Sequence, residues 1–267
     1  MVPVSVVIIA KNECEAIART ISKARLITND IVIIDSGSTD STDHIARMAG
    51  CRVFHANWAG YGANKNKGIF YAHYDWILSL DADEVIDDEL IAALYQINYD
   101  EPNAVYDIHF KTYFGNKQIR FGNWGRDHHV RLFNKTLVKW VEQPVHETLD
   151  LPKNIAKKSL SGHIHHYSVR DNNECRQKSI HYASLGARKY YDMGKQRTMV
   201  KQYLSPAFGF VKSYLFLLGF LDGREGWSIA SNSARHTWLK YHYLYQLQCA
   251  DIRNNAYAGG KLVIGYQ

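Results

Sequence analysis

The sequence predicts an α/β fold in which a mostly parallel sheet is flanked by helices and followed by a helical region. Two observations support this. In the first hundred residues, short apolar runs alternate with segments whose apolar residues have helical spacing. The runs are rich in β-branched residues without polar alternation, which is typical of strands buried on both faces of a parallel sheet.

The predicted elements follow one another in strict order. The strands are 4–10, 30–35, 51–56 and 76–81, and the helices are 13–27, 38–50, 63–74 and 87–97. Hydroxyl and acidic residues begin the second helix, and Gly50 ends it. Acids at 87–89 suit the positive end of the fourth helix. From about residue 172 the pattern is helical and basic, which predicts a domain of 1–168 and a helical region of 169–267.

Charge is divided unevenly along the 267 residues. Residues 1–150 carry 15 Lys and Arg against 20 Asp and Glu, whereas residues 151–267 carry 17 against 6. The basic part is expected to meet an anionic surface. Because no recognised nucleic-acid motif accompanies this charge, we do not expect a nucleic-acid partner.

Composition and cysteine spacing indicate the class and compartment. A hydrophobic content of 46% excludes general disorder. The four cysteines lie far apart, which predicts reduced thiols in the cytoplasm. The first residues lack a basic segment, so we expect no signal peptide.

Polar residues follow the ends of the predicted strands: Lys11 and Asn12, then Asp35, then Asp81 and Asp83. Ligands of open α/β sheets bind beyond the carboxyl ends of the strands, so these residues mark a candidate site. A nicotinamide-dependent dehydrogenase is the first alternative. It is disfavoured because the loop after the first strand, AKNECEA, contains no glycine.

The segment ILSLDADEV places two carboxylates two residues apart at the end of a strand. In extended backbone, Asp81 and Asp83 point to the same side. Their repulsion is relieved by a divalent cation with oxygen ligands, Mg²⁺ or Mn²⁺. The alternative is a solvated acidic turn that begins the next helix.

Four segments in this order, SVVIIAKNE, DIVIIDSGSTDST, ANKNKGI and WILSLDADE, resemble the family 2 glycosyltransferases of the GT-A fold. Later segments, PVHETL, HHYS and FGFVKSYLFLLGFLDGREG, resemble the bacterial lipopolysaccharide core β-glucosyltransferases. The resemblance implies a nucleotide-sugar half, 1–100, and an acceptor half, 101–168.

The resemblance also implies a reaction. It is the metal-dependent, inverting transfer of glucose from UDP-glucose to a lipopolysaccharide or lipooligosaccharide inner-core heptose. Another UDP-sugar with another lipid-linked or polysaccharide acceptor is the alternative. A non-catalytic carbohydrate-binding or membrane-binding module is the alternative from a different class, and it is disfavoured because every expected acid is present.

Carried over residue by residue, the family's motifs predict the donor site. The nucleotide-sugar residues would be Lys11, Asn12, Glu13, Asp35, Ser36, Gly37, Lys65, Asp81, Ala82, Arg126 and Arg131. Asp83 and Asp81 would hold Mg²⁺ or Mn²⁺. In the segment GHIHHYS one of His163, His165 and His166 would complete the metal shell, and His163 and His165 lie on one face of a predicted strand.

The general base is expected to be a carboxylate after the D-x-D segment. The resemblance favours Glu147 and then Glu142, and Asp127 and Asp150 remain open. The alternative for each is a surface salt bridge.

The apolar run 207–221 is interrupted by Lys212, and its fifteen residues are short of the roughly 20 that cross a bilayer. Its aromatic residues and flanking cations predict a helix at the anionic inner leaflet of the cell membrane, where a lipid-linked oligosaccharide would be met. We therefore expect a cytoplasmic protein that is peripherally bound to the inner face of the cell membrane. The alternative is a helix that packs in the core or in a homodimer.

Overall fold

The structure is a computed structural model that describes residues 1–142 and 148–260, with side chains described as far as Asp251. The described chain forms two compact units. Unit 1 comprises Met1–Arg120 and Trp124–Ser168. Unit 2 comprises Phe121–Asn123 and the described chain from Val169 onward.

Strands and helices alternate in the first part of unit 1, as the sequence predicts. The strands are β1 (Val4–Ala10), β2 (Ile31–Asp35), β3 (Arg52–His55), β4 (Trp76–Asp81) and the short β5 (Glu84–Ile86). The helices are α1 (Ile17–Ala24), α2 (Thr42–Met48), α3 (Tyr61–Tyr71) and α4 (Asp88–Tyr95). Helix α1 is shorter than predicted because a turn precedes it, in which the Glu13 carbonyl accepts from the N–H groups of Ala16 and Ile17.

The second part of unit 1 consists mainly of strands. They are β6 (Ala104–Phe114), β7 (Lys117–Gln118), β8 (His128–Asn134), β9 (Lys139–Trp140), β10 (Leu149–Asp150) and β11 (Ala156–Val169). Strand β11 contains the three histidines of the segment GHIHHYS. Strands β9 and β10 form a separate antiparallel pair.

In the described residues, the main sheet has nine strands in the order β3-β2-β1-β4-β8-β6-β11-β5, with β7 paired to β6. Strands β3, β2, β1 and β4 are parallel neighbours. The pairs β4–β8, β6–β8 and β5–β11 are antiparallel. The sheet is therefore mixed, and the parallel prediction holds for the four predicted strands, β1 to β4.

Strand β1 lies at the centre of the parallel strands, and all seven of its residues are buried. Helix α3 packs closely on it at Gly68, where a Cβ atom would lie only 2.3 Å from Val7 Cγ1. Asp35 pairs with Ala10 across the sheet, and Asp81 pairs with Ile9. The strand register therefore brings both acids to one edge of the sheet.

Unit 2 is helical and contains α5 (Asn172–Asp192), α6 (Met199–Val211) and α7 (Gly223–Gly260). The apolar run 207–221 is not one helix. After α6 come a π-helical turn, Lys212–Phe216, and a 3-10 turn, Gly219–Asp222. Leu218 between them has a left-handed φ of 60°, which breaks the helix.

In the described part of the chain, each helix taken alone is too short or too polar to cross a membrane, whereas the pair Met199–Phe216 and Gly219–Asp251, bent by 73°, meets the length and composition required.

Candidate active site

The loops after β1 and β2 are hydrogen-bonded to each other. Asn12 has a φ of 57°, and its Oδ1 accepts from the Thr39 N–H at 2.8 Å. Its own N–H donates to Ser38 Oγ at 2.9 Å, and the Glu13 N–H donates to Thr42 Oγ1 at 2.8 Å. The two predicted nucleotide loops thus form one platform, from which the exposed Lys11 extends.

Asp35 is buried at the base of this platform. Its carboxylate accepts from the Ser38 N–H at 3.2 Å and lies 3.2 Å from His55 Nδ1. The neighbouring Ser36 Oγ accepts from the buried Asn64 Nδ2 at 2.8 Å, which ties the turn to α3. Gly37 follows with a φ of 84°, a conformation that favours glycine. The platform therefore has one acid at its base and a backbone turn above it.

A group of four charges lies at the end of β4, and we call it the charge quartet: Lys65, Asp81, Glu84 and Arg131. Lys65, Glu84 and Arg131 are buried, whereas the Asp81 side chain is 27% exposed. Lys65 Nζ lies 3.0 Å from Asp81 Oδ1, and the Arg131 guanidinium lies 3.3 Å from Asp81 Oδ2. Arg131 also bonds Glu84, which accepts the Asp81 N–H at 3.0 Å. Two cations thus balance two carboxylates, as buried ions require.

The pKa values of the two acids of the quartet are shifted in opposite directions. Burial alone would raise the pKa of Asp81, but Lys65 and Arg131 hold that pKa well below its usual range. Burial raises the pKa of Glu84 to about 7, and the charge of Asp81 adds to the rise although Arg131 opposes it. Asp81 is therefore the more acidic member of the pair.

Asp83 points to a different partner. Its carboxylate lies 3.5 Å from His166 Nε2, and both side chains are partly exposed, by 15% and 25%. Burial alone would lower the pKa of His166, but Asp83 and the acids of the quartet raise it to about 9. Asp83 and His166 therefore form a carboxylate–imidazole pair that reaches the surface next to the quartet.

The structure does not bring His163 or His165 to Asp83. Successive residues of a strand face opposite sides of the sheet, so His163 and His165 lie on the face opposite His166. Both lie near Asp87, at 3.4 and 3.9 Å. Asp87, Glu89 and His163 place possible ligand atoms within 4.8 Å of one another, but Asp87 Oδ1 also caps α4 by accepting from the Leu90 N–H.

Two other residues predicted to bind the nucleotide sugar, Arg126 and Ala82, lie outside the charge quartet. Arg126 is exposed in a 3-10 turn, Trp124–Arg126, and is not a member of the quartet. Ala82 is buried, and its carbonyl accepts from Thr20 Oγ1 at 2.8 Å, which anchors the D-A-D backbone to α1.

The candidate bases lie in several places. Glu147, the first choice, lies outside the described residues. Glu142 is exposed, and its Oε1 accepts from Asn66 Nδ2 on α3 at 3.1 Å. Asp127 pairs with His129 at 2.8 Å, and Asp150 is exposed on β10.

An open cleft of about 390 Å³ borders the quartet. It is lined by His129, Val130, Arg131, Trp140, Thr148, Leu149 and Leu151. The Trp140 ring also contacts the quartet through Lys65, whose Nζ lies 4.8 Å from the ring centroid. The cleft is large enough for a sugar and joins the charged edge of the sheet to an apolar wall.

Two residues of this site, Glu84 and Asn64, were not among the predicted site residues, and His166 was one of three candidate histidines that spacing could not separate. Glu84 ends an acidic segment, but only its complete burial reveals its pairing with Arg131. His166 follows His165 directly, and only the register of β11 against β5, which aligns His166 with Glu84, selects it. For Asn64 the sequence offers no signal beyond its position next to Lys65.

A mixed α/β sheet with a charged carboxyl edge and a D-x-D segment defines a GT-A-type glycosyltransferase. The family model for "Glycosyl transferase family 2" matches residues 5–168. The chain belongs to this family and is a glycosyltransferase, as its motifs indicate.

Relatives extend the match beyond unit 1. An uncharacterized glycosyltransferase of Rickettsia prowazekii is 27% identical over 238 residues, which is 85% of this chain and 81% of that protein. The lipopolysaccharide core biosynthesis glycosyltransferase LpsC of Rhizobium meliloti is 25% identical over 260 residues, 95% of this chain and 96% of LpsC.

Comparison with solved structures gives matches of low TM-score. Staphylococcus aureus TarS matches with a TM-score of 0.44 and 13% identity over 90% of each chain. Glucosyl-3-phosphoglycerate synthase from Mycobacterium tuberculosis, crystallised with Mn²⁺ and UDP, matches with a TM-score of 0.32 and 22% identity. That match covers 42% of this chain and 44% of the mycobacterial chain, less than half of either.

Proposed function

We propose that the chain transfers a sugar from a UDP-sugar, with glucose as the first choice, to an inner-core heptose of lipopolysaccharide. The reaction would be metal-dependent and inverting. The observation that carries this proposal is that the acids of the D-A-D-E segment have different partners. Asp81 and Glu84 are neutralised by Lys65 and Arg131, whereas Asp83, which is 15% exposed, pairs with the partly exposed His166.

Asp83 and His166 fit a divalent cation. A carboxylate oxygen and an imidazole nitrogen are suitable ligands for Mn²⁺, and the carboxylate suits Mg²⁺. Both side chains are partly exposed, so further positions would be open to phosphate oxygens. When bound, the ion would neutralise the charge that develops on the leaving diphosphate. His163 and His165 remain alternative ligands, through the cluster around Asp87.

The remaining residues would bind and orient the donor. Asp35, Asn12 and the turn 36–38 form the platform on which the nucleotide would rest. Asp81, fixed by two cations, would bond the ribose without changing its own charge. A group already held in position costs little further ordering when the donor binds.

The last requirement is a base for the acceptor hydroxyl. We assign Glu147, with Glu142 as the alternative. Glu142 is held near α3 by Asn66 and follows the cleft residue Trp140 by two positions. A carboxylate at this place would take the proton as the new bond forms, and a β-linked product would follow from an α-linked donor.

The relative LpsC supports the acceptor, because it is named as a lipopolysaccharide core biosynthesis glycosyltransferase and the match covers nearly the whole of both chains. The test is to incubate the protein with a panel of UDP-sugars, Mn²⁺ or Mg²⁺, and a deacylated inner-core oligosaccharide that ends in heptose. UDP release and a β-linked product are expected with UDP-glucose and should disappear with EDTA. The same oligosaccharide without heptose is the control. Equal transfer to both oligosaccharides would refute the acceptor assignment.

A further inference from the structure

Helix α6 of unit 2 buries a polar side chain and exposes apolar ones. Gln202 is only 3% exposed, and its Oε1 accepts from Arg197 Nε at 2.6 Å. On the outer face lie Val200, Leu204 and Phe208, exposed by 64%, 63% and 66%. Helices that face water have the opposite arrangement. The orientation of α6 therefore indicates an apolar environment on its outer side.

The turn after α6, residues 215–221, continues this surface, and we call it the apolar corner. It exposes Leu215, Phe216, Leu218, Phe220 and Leu221, by 51%, 72%, 41%, 43% and 54%. The corner is tightly built, since a Cβ atom on Gly226 would lie 1.8 Å from the Gly219 carbonyl oxygen. The Asp222 carboxylate also accepts from the Phe121 N–H at 2.8 Å. Large apolar side chains are thus held out toward solvent by a fixed backbone.

The chain segment that builds this surface carries only positive charges. Residues 193–221 contain no Asp or Glu, but they contain Lys195, Arg197, Lys201 and Lys212. Lys201 and Lys212 are exposed on the same elements as the apolar side chains. A second copy of the chain would present the same positive charge and be repelled, whereas anionic lipid head groups would attract it. The charge therefore favours a lipid surface over a dimer.

We propose that α6 and the apolar corner lie within the head-group layer of an anionic membrane. Helix α6 has 13 residues and is about 20 Å long, and the chain bends by 73° after the π-helical turn that follows it, beyond Phe216. A short helix followed by a sharp bend can insert its apolar side chains roughly 5–10 Å deep while its lysines stay at the phosphates. This inference does not depend on which sugar or acceptor unit 1 uses.

The test is co-sedimentation with phosphatidylethanolamine vesicles, with and without phosphatidylglycerol, at low and at high salt. The wild-type protein should sediment with the anionic vesicles at low salt and much less at high salt. Phe208→Glu with Phe216→Glu should abolish sedimentation. Lys201→Gln with Lys212→Gln should weaken partitioning on the order of tenfold, because each cation near the surface contributes to the attraction.

The matched control is Met48→Glu with Phe70→Glu, which adds the same charge at side chains of unit 1 that are 76% and 82% exposed. It should sediment like the wild type. A second measurement uses fluorescence: brominated lipids should quench the emission of Trp227, which is 54% exposed and packs on Phe210, and Trp227→Phe should remove that quenching.

Two results would overturn the proposal. One is a wild-type protein that does not bind anionic vesicles at low salt. The other is a lipid-free dimer that Phe208→Glu with Phe216→Glu dissociates, since the surface would then be a subunit interface. Circular dichroism of each variant would show that the helices remain folded.

Discussion

Lys65 Nζ lies 3.0 Å from Asp81 Oδ1, and the lysine side chain is completely buried. The pair connects α3 to the end of β4, and Arg131 closes it from the other side. A lysine in such a place is held by its carboxylate partner, because an unpaired buried charge is costly. The binding edge of the sheet therefore depends on this pair for its shape and its charge.

Replacing Lys65 by Met should lower the free energy of unfolding by about 3–5 kcal/mol, since one partner of a buried pair is removed. Urea denaturation measures this. Lys67→Met, two residues along the same helix at an exposed position, is the control and should change stability by less than about 0.5 kcal/mol. Equal effects of the two variants would mean that Asp81 is solvated and that the quartet does not stabilise the fold.

Asp30 gives a pH-dependent prediction in the same unit. Burial alone would raise its pKa, but bonds from Ser5, the His73 N–H and Arg52 hold the pKa below its usual value. The stabilisation is therefore present above pH about 4 and is lost as the pH falls through the folded-state pKa. Asp30→Asn should cost about 3 kcal/mol at neutral pH and progressively less below pH about 4.

Denaturation of wild type and Asp30→Asn across that pH range would show the convergence. Asp88→Asn, at a side chain that is 83% exposed, is the control and should show a small penalty. A penalty for Asp30→Asn that is constant with pH would contradict an ionic role for Asp30.

Two histidine variants test which histidine binds the metal: His166, which the structure places beside Asp83, or His163, which lies near Asp87. His166→Gln should weaken binding of Mn²⁺ with UDP on the order of tenfold or more, the scale seen when a metal's immediate surroundings are changed. His163→Gln should bind as the wild type does. Titration calorimetry measures both affinities. A larger loss for His163→Gln would move the metal to the cluster around Asp87.

The general base is tested by Glu147→Gln and Glu142→Gln. Loss of the base should lower kcat roughly 10²-fold or more while the affinity for UDP and metal is unchanged. We expect this profile for Glu147→Gln, measured by initial rates at saturating donor. If Glu142→Gln shows it and Glu147→Gln stays active, the two roles are exchanged.

The pairing of strands that lie far apart in the sequence is the part of unit 1 that the sequence does not predict. The apolar run of β1 and the acids that end β2 and β4 are local features, and the parallel register places them as predicted. The antiparallel pairing of β11 with β5 joins residues that are about eighty positions apart. It could not be read from spacing, and so the choice of histidine was open.

Local backbone geometry limits the prediction in unit 2. The run 207–221 is apolar apart from Lys212 and Ser213, so its periodicity could not show the break. The left-handed Leu218 causes that break, and the packing of Gly219 against Gly226 stabilises it. These contacts form only when the helices are assembled.

The central claim is that Asp83 serves a metal-dependent transfer from a UDP-sugar. The direct measurement is UDP release by the wild type, Asp83→Asn and Asp88→Asn, each with Mn²⁺ and with EDTA. Asp83 is near the surface beside His166, and Asp88 is an exposed acid five residues later. We predict EDTA-sensitive release by the wild type and Asp88→Asn, and a loss of activity in Asp83→Asn with its fold intact. Undiminished, EDTA-insensitive release by Asp83→Asn would contradict the claim.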